Sequence, residues 1–357
     1  MLILGIESSC DDMAAAVVRD GRYILSSVVS SQDAIHKKYG GIVPELASRR
    51  HIETVIPVVE EALNQARVTL DEIDAIGVTQ GPGLVGSILV GLSFAKSVAY
   101  VQDIPFVGVN HIEAHPMAVF LEKEARSQES EVTNLQPSTF SLQPRFPFIA
   151  LVASGGHTTL FKFKDFGDYE ILGQTRDDAA GEAFDKVAKL LGIGYPGGAV
   201  IDKLAKTGNV SAIEFTRPYI SKDTLDFSFS GIKTAVLNYI KELEKLNPEG
   251  LSYKVTKGFS LENSGMINDL LASFQEAVVD VLTDKAVFAC KANKVNNLVV
   301  SGGVACNSRL RQKLHNKSKD HGIQLFIPEP SLCSDNGAMI AAVAYQLLKK
   351  GVRGDLD

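Results

Sequence analysis

Cysteine is sparse in this chain of 357 residues: there are four, Cys10, Cys290, Cys306 and Cys333. None stands in a C-x-x-C pair, which excludes a zinc knuckle or a thioredoxin-type dithiol. Sparse, unclustered thiols fit a reducing compartment. Net positive charge is also missing. The 36 Lys and Arg against 42 Asp and Glu give −6, so the chain carries no general basic coat for nucleic acid, although a local patch stays open. A long uninterrupted apolar run is absent as well. The most apolar stretch, Leu84 to Val101, is interrupted by Lys96 and several serines, and it reads as a buried core helix rather than a membrane span. The first residues have neither a basic segment nor a small-residue cleavage site, so no signal peptide is expected. Neither the phosphate loop G-x-x-x-x-G-K-[ST] nor the zinc-protease H-E-x-x-H occurs.

What is present is an ordinary globular mixture, 45% hydrophobic and 22% charged, long enough for about two domains. Leu2 to Ile6 is apolar, Glu7 to Asp12 a polar turn, and Ala14 to Val18 apolar again, which predicts a hairpin. The same order returns with Phe148 to Val152, the turn Ser154 to Thr158, and Thr159 to Phe163. The offset of roughly 146 residues reads as an internal duplication. Helices are predicted for Pro44 to Gln65, from Leu84, for Met117 to Lys123, Asp177 to Leu191, Val200 to Lys206, Ile267 to Lys291, Ser308 to Lys319 and Asp335 to Leu348. Strands are predicted for Ala75 to Thr79, Phe106 to Val109, Asn297 to Val300 and Gln324 to Ile327. Alternating strands and helices make this an α/β chain with partly parallel sheets. Residues 126–147 and 246–264 read as polar loops.

Three glycine turns follow apolar runs: Ser154-Gly155-Gly156, Pro196-Gly197-Gly198 and Ser301-Gly302-Gly303. Such turns let backbone N–H groups approach a phosphate, although glycine also serves tight turns for steric reasons alone. Asp185 and Asp202 bracket Gly197-Gly198, and a carboxylate there can accept both hydroxyls of a ribose. His111 and His115, four apart, lie roughly 40° apart on a helical face, a spacing that two imidazoles can use for a metal. Glu113 falls roughly 200° round such a helix from His111, so a protease base is lacking. A surface or core pair of histidines without a metal is the alternative, and a metal would need a third ligand. Asp335 opens the last helix and reads equally as an N-cap. Cys306 beside Asn307 reads as a buried structural thiol.

Taken in order, Gly5-Ile-Glu-Ser-Ser-Cys-Asp-Asp12, Tyr39-Gly-Gly-Ile-Val-Pro-Glu-Leu-Ala-Ser-Arg49, Gly81-Pro-Gly-Leu-Val-Gly86, His111-Ile-Glu-Ala-His115, Ser154-Gly-Gly-His-Thr158, Asp178-Ala-Ala-Gly-Glu-Ala-Phe-Asp-Lys186, Tyr195-Pro-Gly-Gly198, Asp226-Phe-Ser-Phe-Ser-Gly-Ile-Lys233, Ser301-Gly-Gly-Val304 and Ser334-Asp-Asn-Gly-Ala-Met339 resemble the bacterial-type TsaD (Gcp) family. The resemblance implies a duplicated actin-like, heat-shock-chaperone-like ATPase fold, with a nucleotide cleft between two lobes. Residues 1–125 would form the first lobe, 126–147 a connector and 148–330 the second lobe, with 331–357 a helix returning to the first. It implies transfer of threonylcarbamoyl from threonylcarbamoyl-adenylate to N6 of the adenosine 3′ of a tRNA anticodon, releasing AMP. By motif it places one divalent metal, iron(II) ahead of zinc, on His111, His115 and Asp335. The adenylate would meet Val152, Ala153, Ser154, Gly155, Gly156, Asp185, Gly198, Asp202 and Asn307. The resemblance assigns no general base. The implied partners are tRNA and the TsaB and TsaE homologues, in the cytoplasm and without a membrane. A small-molecule kinase or a nucleotide-switched chaperone of the same fold would not need the histidine pair.

Overall fold

A computed structural model describes residues 1–124, 143–217, 224–246 and 264–355. The predicted polar loops 126–147 and 246–264 lie largely outside these residues.

The first unit is built on the N-terminal hairpin. Strands β1 (Leu2–Glu7) and β2 (Met13–Arg19) pair antiparallel from Leu2↔Arg19 to Glu7↔Ala14 and are buried almost throughout. Apolar runs without alternation are what a strand covered on both faces requires. Next come β3 (Tyr23–Ser30), the short helix α1 (Asp33–His36), α2 (Pro44–Ala66), β4 (Ala75–Gly81), α3 (Val85–Gln102), β5 (Phe106–Asn110), α4 (His111–Met117) and β6 (Glu122–Lys123). The sheet order is β5-β4-β1-β2-β3-β6, with β1, β4 and β5 parallel.

The second unit repeats this plan. It comprises β7 (Phe148–Ala153), β8 (Thr158–Asp165), β9 (Asp168–Gln174), α5 (Ala180–Leu191), α6 (Gly197–Ala205), α7 (Ser230–Leu246), α8 (Ser264–Asn293), β10 (Asn297–Ser301), α9 (Ser308–Asp320) and β11 (Gln324–Phe326). Its sheet order, β11-β10-β7-β8-β9, matches β5-β4-β1-β2-β3 strand for strand. The chain then runs through α10 (Pro330–Cys333) and α11 (Gly337–Lys349). An apolar cluster joins the two sheets, with Ile3, Ala16 and Val107 on one side, Phe148, Val152 and Phe163 on the other, and Met339 to Ala344 of α11 between them.

Two glycines set how closely α11 approaches. A Cβ on Gly5 of β1 would stand 2.0 Å from the Gly337 carbonyl oxygen, and one on Gly337 would stand 2.6 Å from the Ala16 nitrogen. The first turn of α11 therefore lies backbone to backbone on the hairpin, which carries the preceding Asp335 to the end of β1.

Two local readings need correction. No helix spans 117–123. Pro116 lies in α4, which ends at Met117, and a 3-10 turn leads to β6, where the Glu122 N–H bonds the Arg22 carbonyl at 2.9 Å. The apolar α3 is not a core helix on all sides. Ser87, Ile88, Gly91, Ala95 and Ala99 are buried, while Val85, Leu89, Tyr100 and Val101 are exposed. Exposed Ile52 and Ile56 of the neighbouring α2 extend this apolar surface.

Candidate metal and nucleotide site

The two histidines of the candidate metal site sit where β5 passes into α4. Asn110 caps that helix, its Oδ1 accepting from the N–H groups of Ile112 at 2.9 Å and Glu113 at 3.2 Å. The cap fixes the first turn, so His111 and His115 project together, with ring centroids 4.8 Å apart and an interplanar angle of 75°. Asp335 Oδ1 comes from the far end of the chain to 3.7 Å from His111 Nε2 and 3.3 Å from His115 Nε2. Asp335 does not cap α11; Asn336 does, accepting from the Met339 N–H at 2.9 Å. Glu113 turns elsewhere and accepts from the Gly167 N–H, so the protease arrangement is absent.

Behind the histidines lies a buried acceptor. Glu7, at the end of β1, is fully buried. Its carboxylate holds the Ser9 N–H at 2.5 Å, the Thr79 hydroxyl at 2.6 Å and His111 Nδ1 at 2.9 Å. Holding Nδ1–H on a carboxylate leaves His111 Nε2 directed at Asp335, the second-layer pattern of metal-bound imidazoles. Burial pushes the His111 ring down, but Glu7 and Asp335 outweigh it and raise it to about 9. Burial likewise works against the Asp335 carboxylate, yet the neighbouring imidazoles hold it well below the usual range. His115 is fully buried, and neither ring nitrogen makes a hydrogen bond. Buried nitrogens without such a bond are costly. Two imidazoles and a carboxylate, with their ligand atoms within 4.8 Å of one another, are a donor set that fits a divalent metal and leaves positions open.

The Ser154-Gly155-Gly156 turn lies beside this cluster. His157 connects the two, its ring 6.3 Å from that of His111. Its backbone carbonyl accepts from the Ser154 N–H at 2.8 Å, and the Ser154 hydroxyl accepts from the His157 N–H at 3.1 Å. Val152 and Ala153 are buried at the end of β7 and aim the turn outward. A Cβ on Gly155, Gly156 or Gly198 would meet no protein atom within 4 Å, whereas one on Gly197 would stand 2.6 Å from Ala188 Cβ. Gly197 is thus the packing glycine and Gly198 the open one. Asp185 Oδ1 accepts from the Gly197 N–H at 2.7 Å. Asp202 Oδ1 accepts from Ser308, at 3.1 Å from its N–H and 2.8 Å from its hydroxyl. Asn307 caps α9 through the Leu310 N–H at 2.9 Å and donates to Gln275 at 2.8 Å. Both ends of its side chain therefore serve the fold. Gly81-Pro-Gly-Leu-Val-Gly86 has the glycine spacing of a dinucleotide loop, but Gly83 and Gly86 pack on Ser9 and Ser48.

The family model for TsaD, tRNA N6-adenosine threonylcarbamoyltransferase, matches residues 23–342. The chain belongs to the TsaD family. The tRNA N6-adenosine threonylcarbamoyltransferase of Clostridium perfringens is 52% identical over 350 residues, covering 98% of this chain and 94% of the relative. That of Syntrophus aciditrophicus is 51% identical over 357 residues, covering all of this chain and 95% of its own. Among solved structures, full-length HypF in its phosphate- and nucleotide-bound form superposes with a TM-score of 0.58 at 15% identity. That match covers 98% of this chain and 56% of HypF, and it establishes the actin-like fold alone. This TsaD chain is accordingly an acyltransferase that modifies tRNA.

In this TsaD chain the i, i+4 histidine pair is legible from spacing, and Asp335 from the resemblance. Reasoning from the sequence overlooked Glu7, Ser9 and His157 as parts of the site. The available signals were a lone acid ending an otherwise apolar strand and a histidine inside a Gly-Gly turn. The Cys306 thiol, read as buried, is exposed and donates to the Pro330 carbonyl at 3.6 Å.

Proposed function

We propose that this TsaD chain takes threonylcarbamoyl-adenylate as donor and releases AMP, with a divalent metal, iron(II) ahead of zinc, on His111, His115 and Asp335. The observation that carries this reading is the buried His115 imidazole, neither of whose nitrogens is hydrogen-bonded, which with His111 Nε2 faces the Asp335 carboxylate. A divalent ion bound there supplies Lewis-acid polarisation of the threonylcarbamoyl carbonyl. Val152, Ala153, Ser154, Gly155, Gly156 and Gly198 present backbone to the adenylate. Asp202 keeps one carboxylate oxygen for its ribose, Asp185, held by the Gly197 and Gly198 N–H groups, is assigned to the same ribose, and Asn307 shapes the wall behind them. In the reaction the adenine N6–carbonyl carbon bond forms and the carbonyl–phosphate oxygen bond breaks. AMP leaves with the electron pair, and the amine proton passes to solvent. Amides aimed at the phosphate favour the charge developing on the leaving AMP. N6 is a weak nucleophile, so fixed placement of both reactants supplies much of the rate.

Residues 1–125 and 148–330 are read as the two lobes, with 331–357 closing back on the first. The exposed apolar surface of α2 and α3 is the docking face for a TsaB homologue. Contiguous exposed apolar residues mark such contacts, and a chain of net charge −6 gains from a partner that completes the tRNA surface. A TsaE homologue is the second partner, and the reaction is cytoplasmic.

The test supplies synthetic threonylcarbamoyl-adenylate and unmodified tRNA to the metal-loaded chain, with and without the partner homologues. One AMP should appear per modified adenosine, and the partners should raise the rate. Modification without AMP would refute the donor, and full rate by the chain alone would refute the partner reading.

A further inference from the structure

The loop between α1 and α2 carries a feature that the transfer chemistry leaves unused. Between α1 and α2 the chain turns through Lys37-Lys38-Tyr39-Gly40-Gly41. The root of this turn is buried. His36 is fully buried, and its Nδ1 accepts from the Val43 N–H at 3.3 Å. Gln32, 1% exposed, donates to the Ala47 carbonyl at 3.4 Å and lies 3.2 Å from His51 Nδ1. The tip is the opposite. Tyr39 is 57% exposed, and Lys37 and Lys38 are exposed and form no ion pair with any described residue. Gly40, at φ 66°, turns the chain so that its carbonyl accepts from Lys189 Nζ of the second unit at 3.2 Å. The tip therefore contacts α5 of the second unit, the helix that carries Asp185.

Its inner side is acidic. Asp33 of α1 is close enough for its charge to act on Asp11, Asp12, Asp185 and Tyr195. A phosphate backbone is drawn to the two lysines outside, which leaves an attached base to reach inward past the tip. An adenine whose N6 is to be acylated must also be unpaired, because pairing occupies that amine. Its neighbours in a single-stranded loop then need a stacking surface. An exposed aromatic beside free cations is what single-stranded nucleic acid uses for this.

We propose that Tyr39 is a stacking platform for a base flanking the target adenosine, with Lys37 and Lys38 holding the adjacent phosphates, so that this tip positions the anticodon loop over the site. The inference rests on tRNA being the acceptor.

The test uses the metal-loaded full chain with its partner homologues. It measures anisotropy of a labelled anticodon stem-loop RNA and, separately, transfer kinetics on whole tRNA. Tyr39→Ala should weaken RNA binding about tenfold and raise the tRNA KM by the same factor, while kcat stays within about twofold. Tyr39→Phe, which keeps the ring, should restore both. Lys37→Gln combined with Lys38→Gln should flatten the plot of log affinity against log salt by about 1.4, two single-strand phosphate contacts at about 0.7 each. Unchanged RNA affinity in Tyr39→Ala overturns the inference. So does a loss that appears only when the partner protein is titrated, since the tip would then contact protein. A wild-type chain that binds the stem-loop but transfers nothing refutes the donor reading instead and leaves the binding comparison intact.

Discussion

Replacing Glu7 by Gln removes one charge and one acceptor from behind the imidazoles of the proposed metal site. The carboxylate receives three donors, the Ser9 N–H, the Thr79 hydroxyl and His111 Nδ1, at 2.5, 2.6 and 2.9 Å. An amide offers one oxygen and one NH2, so either the Ser9 N–H faces the NH2, or the NH2 donates to His111 Nδ1 and moves the ring proton to Nε2, the nitrogen that faces Asp335. Either way His111 loses the charge-assisted bond that fixes its ring and its tautomer. A charge-assisted hydrogen bond of this kind contributes ~1.5–3 kcal/mol. Second-layer substitutions at metal sites cost about 10–100-fold in affinity, which converts to ~1.4–2.7 kcal/mol. The two routes agree. Glu7→Gln should therefore bind a divalent ion about 10–100-fold more weakly in a chelator competition. The pH dependence should change too. In the metal-free chain His111 is raised to about 9, so binding at neutral pH displaces a proton and wild-type affinity falls as pH falls. Without the Glu7 charge that proton is held less firmly, and the slope near neutrality should flatten. Affinity within twofold of wild type at every pH would refute the role given to Glu7.

Gly198→Val should weaken AMP affinity by calorimetry at least about tenfold with little change in melting temperature, because the new side chain enters the cleft and not the protein; equal affinities would remove Gly198 from the site. Gly337→Ala should cost ~3 kcal/mol or more in urea, since its Cβ would stand 2.6 Å from the Ala16 nitrogen and the Gly5 oxygen, backbone that cannot yield; a cost below about 1 kcal/mol would contradict the packing. Glu276 is pushed up by burial but pulled down further by Arg309 and Lys313, to about 2. Its contribution is therefore complete above its ordinary 4.5 and disappears as pH falls toward 2. After allowance for solvent screening, Glu276→Gln should cost ~1–2 kcal/mol at pH 7, shrinking at pH 3; a difference independent of pH would refute the ion-pair account.

How much was legible follows from where each signal sits along the chain. The two hairpins were readable because β1, β2, β7 and the start of β8 are covered on both faces and hence continuously apolar. The third strand of each sheet was not. β3 and β9 are partly exposed, and their mixed composition resembles loop. The start of α7 is not set locally: it depends on Asp177, 53 positions before Ser230, which accepts from the N–H groups of Phe229 and Ser230. In the site, the histidine pair is local and legible. Asp335 and Glu7 reach it only through tertiary contacts, namely the backbone approach of α11 to β1 and the end of β1 against α4. Asp185, Asp202 and Asn307 were legible as polar residues near turns, but their bonds to Gly197, Ser308, Leu310 and Gln275 are visible only in the fold.

The most direct test of the proposed metal-dependent transfer is Asp335→Asn, made in the full chain and assayed with partner homologues, adenylate and tRNA. Asn keeps the shape of Asp335, and Asn336 still caps α11, so folding should be preserved and any loss must come from the missing anionic ligand. Metal content by mass spectrometry and threonylcarbamoyladenosine in digested tRNA should fall together by at least about tenfold. An Asp335→Asn chain that retains both would contradict the account.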